Sequence, residues 1–375
     1  MLRSAPLVRR ARMYARTFAS VPRAPYDVLF CGTDAFARTA LEHILARKEL
    51  TRSVQVLTPP DVAHKWGGRR MRVAPVKELA ADASLPILHV PQGGMDEFAL
   101  PEALQSSDAP MLITVSFGHR IPTSLLGRFS SPSLTLNLHP SLLPELRGAA
   151  PIQWALAREY TTTGVSVQQL HAERFDVGKL LAQEPVSIPN DSTYASLAPI
   201  LADAGAALLV DTMAHLPERS ADAKVQDDAC ATRAPKLQAK YGVVHWAKWD
   251  AQRIGARIRG FGHQIPITTT LVPSRGTFPQ VACTLRDARP LSSVSSEPLA
   301  LLDAQAQAKL FGAGAAPGTA VYSETLQALV VRCATPENVL LVYALQTQGK
   351  PVRKAPDWWL GFHDRSDEQH RLHFR

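Results

Sequence analysis

Cysteine is scarce: Cys31, Cys230, Cys283 and Cys333 are the only four in 375 residues. They form neither a Cys-x-x-Cys pair nor a Cys/His ligand spacing, which argues against a disulfide scaffold and a structural zinc site. Isolated reduced thiols are expected. No run approaches the ~20 consecutive apolar residues of a membrane span, so no membrane attachment is expected. The turn Gly32-Thr33-Asp34-Ala35 lacks the remaining glycines of a dinucleotide fingerprint, so neither NAD nor FAD is inferred. Acid is missing from the first 24 residues; the first carboxylate of the chain is Asp27. An apolar h-region is missing there too, which excludes a secretory signal.

The same 24 residues hold six arginines, at positions 3, 9, 10, 12, 16 and 23, and no lysine. Arginines separated by small and apolar residues are the pattern of an amphipathic transit peptide, with Arg16-Thr17-Phe18-Ala19-Ser20 as a matrix-peptidase region. A basic tail that stays attached is the alternative. The chain carries a net charge of +8, and removing six arginines leaves about +2. Residues 25–239 carry 19 Lys+Arg against 23 Asp+Glu, a net of −4; residues 240–375 carry 16 against 10, a net of +6. A mildly basic rear half suits contact with a polyanion, although the excess alone is modest.

At 46% hydrophobic and 20% charged residues, the composition is that of an ordinary soluble protein long enough for two domains. Strand-like runs at Asp27–Cys31, Ser53–Leu57, Ile87–His89, Met111–Ser116, Leu134–His139 and Gly164–Leu170 alternate with helical patterns. The helices are predicted at Ala35–Lys48, Val76–Ala83, Pro151–Glu159 and Tyr194–His215. That order gives an α/β fold with a Rossmann-like, mainly parallel sheet. Pro217–Lys240 is polar and irregular and reads as an interdomain linker. Beyond it a helix is predicted over Asp250–Arg259. Strands follow at Thr268–Val272, Val281–Leu285, Leu329–Cys333 and Leu340–Leu345, which suggests a small β-barrel. Residues 286–317, rich in Ala, Ser and Pro, read as a long surface loop.

The most informative run is Asn137-Leu-His139-Pro-Ser-Leu-Leu-Pro144-Glu-Leu-Arg147-Gly-Ala-Ala-Pro-Ile152. Period-two alternation turns Leu134, Leu136 and Leu138 to one face of a strand, and Thr135, Asn137 and His139 to the other. Pro140 cannot extend the ladder, so the amide and imidazole stand at the strand's carboxyl end, where open α/β sheets bind ligands. Phe175-Asp176-Val177-Gly178 then places a carboxylate on a loop after the next strand. Asn, His and Asp together suit acyl transfer.

With Phe30-Cys31-Gly32-Thr33, Ser116-Phe117-Gly118, Ile121-Pro122 and Thr163-Gly164-Val165, this ordered series resembles the 10-formyltetrahydrofolate-dependent formyltransferases over residues 26–360. The resemblance is greatest to the tRNA-directed members. It implies 10-formyltetrahydrofolate as co-substrate, no metal, initiator methionyl-tRNA as acceptor and an OB-like, tRNA-binding barrel. A monomer in the mitochondrial matrix is expected. The expected organisation is a transit peptide (1–24), a catalytic domain (25–216), a linker (217–240) and the smaller barrel domain (241–375).

Formyl transfer requires a deprotonated amine, a stabilised oxyanion and a proton delivered to the leaving group. An imidazole, with an ordinary pKa of ~6.5, suits the proton work. His139 is therefore assigned as base or charge stabiliser, Asn137 as oxyanion donor and Asp176 as partner of the imidazole. Ser141, Leu142, Leu143 and Pro144 are expected to form the loop under the co-substrate, with Phe117, Gly118, Val177 and Gly178 offering backbone groups to the pterin. Arg147 pairs either with a folate carboxylate or with a neighbouring acid, the latter being favoured. His119, where relatives usually carry an apolar residue, is expected to line the pocket; His171 and His263 read as structural or surface groups. Lys65, Arg69, Arg70 and Arg72, interleaved with glycines, read as either a solvated loop or a phosphate-seeking one; the resemblance favours the acceptor stem. Two departures stand out. The Asp-Arg-Pro-x-Gly of relatives is replaced by Asp61-Val62-Ala63-His64, and Asp34 stands where proline is common. Formyl transfer to a small amine, formyl hydrolysis and inactive RNA binding are the competing readings.

Overall fold

The structure, a computed structural model, describes residues 21–63, 71–274, 278–291, 310–312, 314–335 and 338–375. Lys65, Arg69, Arg70 and most of the arginine-rich N-terminus therefore lie outside the described residues, and Arg72 is described only as a backbone position.

The first half runs β1 (Tyr26–Gly32), α1 (Ala35–Ala46), β2 (Thr51–Thr58), β3 (Val62–Ala63), β4 (Met71–Arg72), α2 (Pro75–Asp82) and β5 (Ile87–His89). It continues with α3 (Glu102–Gln105), β6 (Pro110–Val115), α4 (Thr123–Leu126), β7 (Thr135–His139), α5 (Pro151–Ala157), β8 (Thr162–Gln169) and β9 (Leu180–Ser187). The helices α6 (Tyr194–Ala214) and α7 (Leu216–Ala221) close it. Seven strands make one sheet in the order β5-β2-β1-β6-β7-β8-β9. The first four pairings are parallel, and β8 and β9 join antiparallel. β6 is buried at every position, as a central strand covered on both faces must be. β9 escapes sequence detection because Pro185 and exposed polar residues are tolerated on an edge strand.

Asp34 caps α1 by accepting a hydrogen bond from Ala37 N at 3.0 Å. α6 is 21 residues long and contains an 18-residue window with a mean hydropathy of 1.5, so by length and composition it could cross a bilayer. That corrects the expectation that no run comes close. In this fold it packs against α1, β7, β8 and β9.

The second half contains α8 (Ala251–Phe261), β10 (Ile267–Val272), β11 (Val281–Pro290), β12 (Thr319–Ser323), β13 (Ala328–Arg332), β14 (Val339–Thr347), β15 (Val352–Lys354), α9 (Ala355–Leu360) and β16 (Arg371–Phe374). Successive antiparallel pairings β11-β10-β16-β12-β13-β14 return to β11, closing a six-stranded barrel with β15 as an extra strand on β14. The expected small barrel is thus present. Residues 286–290 belong to β11 rather than to a surface loop; register shifts on either side of Asp287 break the alternation that would have revealed them.

The segment from 217 to 240 is not a free tether. It begins in α7, then lies along the sheet domain through backbone bonds between Lys224 and Leu180, and from Arg147 to Thr232 and Ala234. One continuous apolar core runs through both domains, and α8 touches α5 on one side and β10, β11 and β14 on the other.

Candidate active site

The strand order reverses between β1 and β6, and the ends of β1, β6 and β7 open there into one cleft. Such a switch point leaves a crevice because the connections depart in opposite directions. The cleft encloses about 480 Å³ and is lined by Asp34 after β1, Thr114 and residues 116–121 at the end of β6, residues 137–140 at the end of β7, and residues 168–171 with 174–176 after β8. That volume suits one drug-sized ligand.

Asn137, His139 and Asp176 all face this cleft. Thr114 Oγ1 donates to Asn137 Oδ1 at 2.8 Å. The amide is thereby oriented, and its Nδ2 group is left to the cleft. His139 and Asp176 are nearly buried, with Nδ1 of the ring 3.5 Å from Asp176 Oδ1. That is too long for a strong direct bond. The shorter tie is from Nε2, 3.1 Å from the carbonyl oxygen of Leu146. A carbonyl only accepts, so this contact places a proton on Nε2 and turns Nδ1 toward the carboxylate. Asp176 adopts a left-handed φ of +58°, which Asp tolerates better than most residues. Its carboxylate accepts from Gly148 N at 2.9 Å and from Gln168 Nε2 at 3.2 Å. Gly148 has φ +127°, and a Cβ there would lie 2.5 Å from Ala234 O. Only glycine allows the backbone to come this close and present its N–H to the acid.

Two family profiles cover most of the chain: "Formyl transferase" matches residues 27–213, and "Formyl transferase, C-terminal domain" matches residues 236–363. The human protein named methionyl-tRNA formyltransferase, mitochondrial, is 32% identical over 316 residues, spanning 83% of this chain and 72% of the relative. The chain belongs to the formyl transferase family.

A bacterial methionyl-tRNA formyltransferase, from Acidobacterium capsulatum, is 38% identical over 238 residues, 62% of this chain and 73% of its own. Among solved structures, the sugar 3N-formyl transferase WlaRD, crystallised with dTDP and 5-N-formyl-THF, aligns at TM-score 0.56 and 13% identity, over 88% of this chain and 100% of its own. HypX from Aquifex aeolicus, in complex with tetrahydrofolic acid, aligns at TM-score 0.52 and 12% identity, over 90% and 48%. At these identities the two structures speak for the fold alone.

In this formyl transferase, Phe117 and Gly118 line the cleft as expected positions for a ligand, and so does His119, whose ring lies 5.1 Å from that of Phe117. Ser141, Leu142, Leu143 and Pro144 do not line it. Their groups are committed to the scaffold: Ser141 Oγ donates to Glu145 O, Ser166 Oγ donates to Ser141 O, and Leu143 N donates to Ser166 Oγ. The carbonyl of Pro144 accepts from Thr232 N. Val177 and Gly178 lie just behind the cleft wall, where Gly178 N donates to Gln168 Oε1 at 3.2 Å. Arg147 pairs with Asp228 at 2.8 Å and with Gln226, the scaffold alternative. That pairing holds the exposed Asp228 carboxyl below its ordinary range.

Sequence reasoning missed several members. His171, read as structural, lines the cleft along with Arg120, Arg174 and Phe175; the last is 61% exposed. Asp34 was visible only as a departure from relatives. Desolvation raises its pKa, partly offset by hydrogen bonds from Ala37, Ser116 and Phe36. The residue is nonetheless open to solvent. Thr114, Gln168, Gln226 and Thr232 left no signal, because their partners are distant in sequence.

Proposed function

We propose that this enzyme transfers the formyl group of 10-formyltetrahydrofolate to the α-amino group of initiator methionyl-tRNA, in the mitochondrial matrix. The observation that carries the reading is the convergence of Asn137, His139 and Asp176 on one cleft in a chain of the formyl transferase family. The mitochondrial relatives supply the acceptor and the compartment.

The deprotonated amine attacks the formyl carbon and forms the new C–N bond. Asn137 Nδ2 donates to the oxygen as it becomes an oxyanion. The His139–Asp176 pair takes the proton that the amine must lose. Collapse breaks the bond to N10 of the co-substrate, which receives a proton in return. Residues 25–216 form the catalytic unit, 217–240 the linker and 241–375 the tRNA-binding unit of this reading. No metal is required, and one chain suffices. β2 runs parallel to β7, so the β3–β4 hairpin leaves the same edge of the sheet as His139. Three strand spacings separate them, about 14 Å. The described ends of that hairpin, with Arg72 on β4, thus stand on the edge of the sheet from which an acceptor end would enter the cleft.

The test is transfer of labelled formyl to initiator methionyl-tRNA, with elongator tRNA and free methionine as controls. Label appearing chiefly as free formate would mark a hydrolase instead, and equal labelling of free methionine would mark a small-amine enzyme. For the address, a chain beginning at Ala24 should retain activity in vitro but fail to enter mitochondria; full-length chain found uncleaved in the cytosol would overturn that assignment.

A further inference from the structure

The imidazole of His139 is tied to a carbonyl that has its own unusual support. Leu146, whose oxygen faces Nε2 at 3.1 Å, has a left-handed φ of +56°. For a γ-branched residue this conformation persists only where neighbours over-determine it. The neighbour is Thr232: its Oγ1 accepts from Leu146 N at 2.8 Å, and its backbone oxygen accepts from Arg147 N at 2.9 Å. Ala234 N then donates to Arg147 O at 2.7 Å. The same segment grips the other half of the pair, since Gln226 Nε2 donates to the backbone oxygens of Asp176 at 3.1 Å and Gly178 at 2.8 Å.

We propose that Thr232 is a positioning residue for the reaction: by holding Leu146 in its left-handed turn, it aims the carbonyl that keeps the His139 proton on Nε2 and leaves Nδ1 to exchange protons beside Asp176. The proposal rests on the formyl-transfer reading above. Its physical content is a tautomer. Without the Thr232 hydroxyl, the Leu146 amide loses its acceptor and the peptide is free to turn, releasing Nε2. The other ionisable groups lining the cleft are Asp34, His119, Arg120, His171, Arg174 and Asp176.

The test compares Thr232→Val, which keeps the shape and deletes the acceptor, with Thr232→Ser, which keeps it. Thr232→Val should lower kcat about tenfold, the scale of one lost hydrogen bond, with little change in KM for 10-formyltetrahydrofolate. Thr232→Ser should restore kcat. A purely structural role would lower the melting temperature or the amount of active enzyme while leaving kcat per active site unchanged, and that result overturns the proposal. A second measurement needs no variant and no activity. Nitrogen-15 NMR of the unaltered chain should show the neutral His139 ring protonated on Nε2; a ring protonated on Nδ1 overturns the proposal even if formyl transfer is confirmed. Absent transfer with the Nε2 tautomer in place would instead refute the functional reading and leave the positioning intact.

Discussion

Each of the three side chains proposed to carry the chemistry is oriented by a group the chemistry does not consume. Thr114 aims Asn137, Leu146 O fixes His139, and Gly148 N with Gln168 holds Asp176. Replacing Asn137, His139 or Asp176 by alanine should each lower kcat by about 10²-fold or more, the scale of one oxyanion donor or one proton partner. Binding of the co-substrate should change far less, because most of the cleft wall is untouched. Single-turnover kinetics with initiator methionyl-tRNA measure this, and near-normal turnover in two of the three would remove the mechanism. Tyr26 offers a separate titration. It is fully buried, its hydroxyl donates to Pro22 O and Met213 O, and burial pushes its pKa up to about 12, with Arg23 offsetting part of the rise. The folded chain therefore keeps the phenol neutral above pH 10, where the unfolded chain ionises. The stabilisation is complete below pH 10 and is lost as pH climbs toward 12. Denaturant titrations should show Tyr26→Phe about 1 kcal/mol less stable at neutral pH but less sensitive between pH 10 and 12.

At the scale of elements, the contact of α5 with α8 decides how the two domains meet. Trp154 on α5 packs edge-on against Tyr241 and Phe261, and its Nε1 donates to Pro235 O at 2.8 Å. Gly260 on α8 is the closest point: a Cβ there would lie 2.7 Å from Gln153 O and 3.1 Å from Leu156 Cβ. Gly260→Val should force the helices apart and cost about 1–3 kcal/mol, as overpacking does. Thermal unfolding and small-angle scattering would register it as a lower melting temperature and a larger radius. An unchanged melt would mean the interface yields freely. Arg257, on the same helix, lies 4.3 Å over Trp249 and donates to Tyr241 O. Burial, together with Arg253 and Arg158, lowers its pKa.

For the whole molecule, the question is where polyanion is gripped. The −4 front and +6 rear halves describe a weak dipole, so the loop between β3 and β4 must contribute if tRNA is held tightly. Neutralising Arg69, Arg70 and Arg72 together should raise KM for tRNA and flatten its salt dependence by somewhat under one log–log unit per lost phosphate contact. KM for 10-formyltetrahydrofolate should stay nearly constant. Unchanged tRNA kinetics at every salt concentration would leave only the barrel domain as an RNA contact.

Much of this was legible in the sequence because it depends on local periodicity. The alternation at 134–139 and the break at Pro140 determine a strand ending in His139, and the β-turn-α opening at Gly32 determines the parallel sheet. The apolar length of Tyr194–Ala214 determines a helix, whatever it packs against. Tertiary structure decided the rest. β9, β15 and β16 are short or polar and exist only because neighbouring strands complete their hydrogen bonds, and a bulge at Asp287 hid half of β11. Ser141–Pro144 stand beside the motif but outside the cleft lining, and the bonds that tie Ser141 and Leu143 to Ser166 and Glu145 could not be read from the sequence. Conversely, Thr232 lies 93 positions from His139 in a stretch that reads as polar linker, and Leu146 offers only a backbone carbonyl, which no residue type encodes. Residue identity determined which groups could carry the chemistry; chain closure between distant segments decided which nitrogen of His139 bears the proton, because backbone hydrogen bonding is invisible until the partner strand is in place.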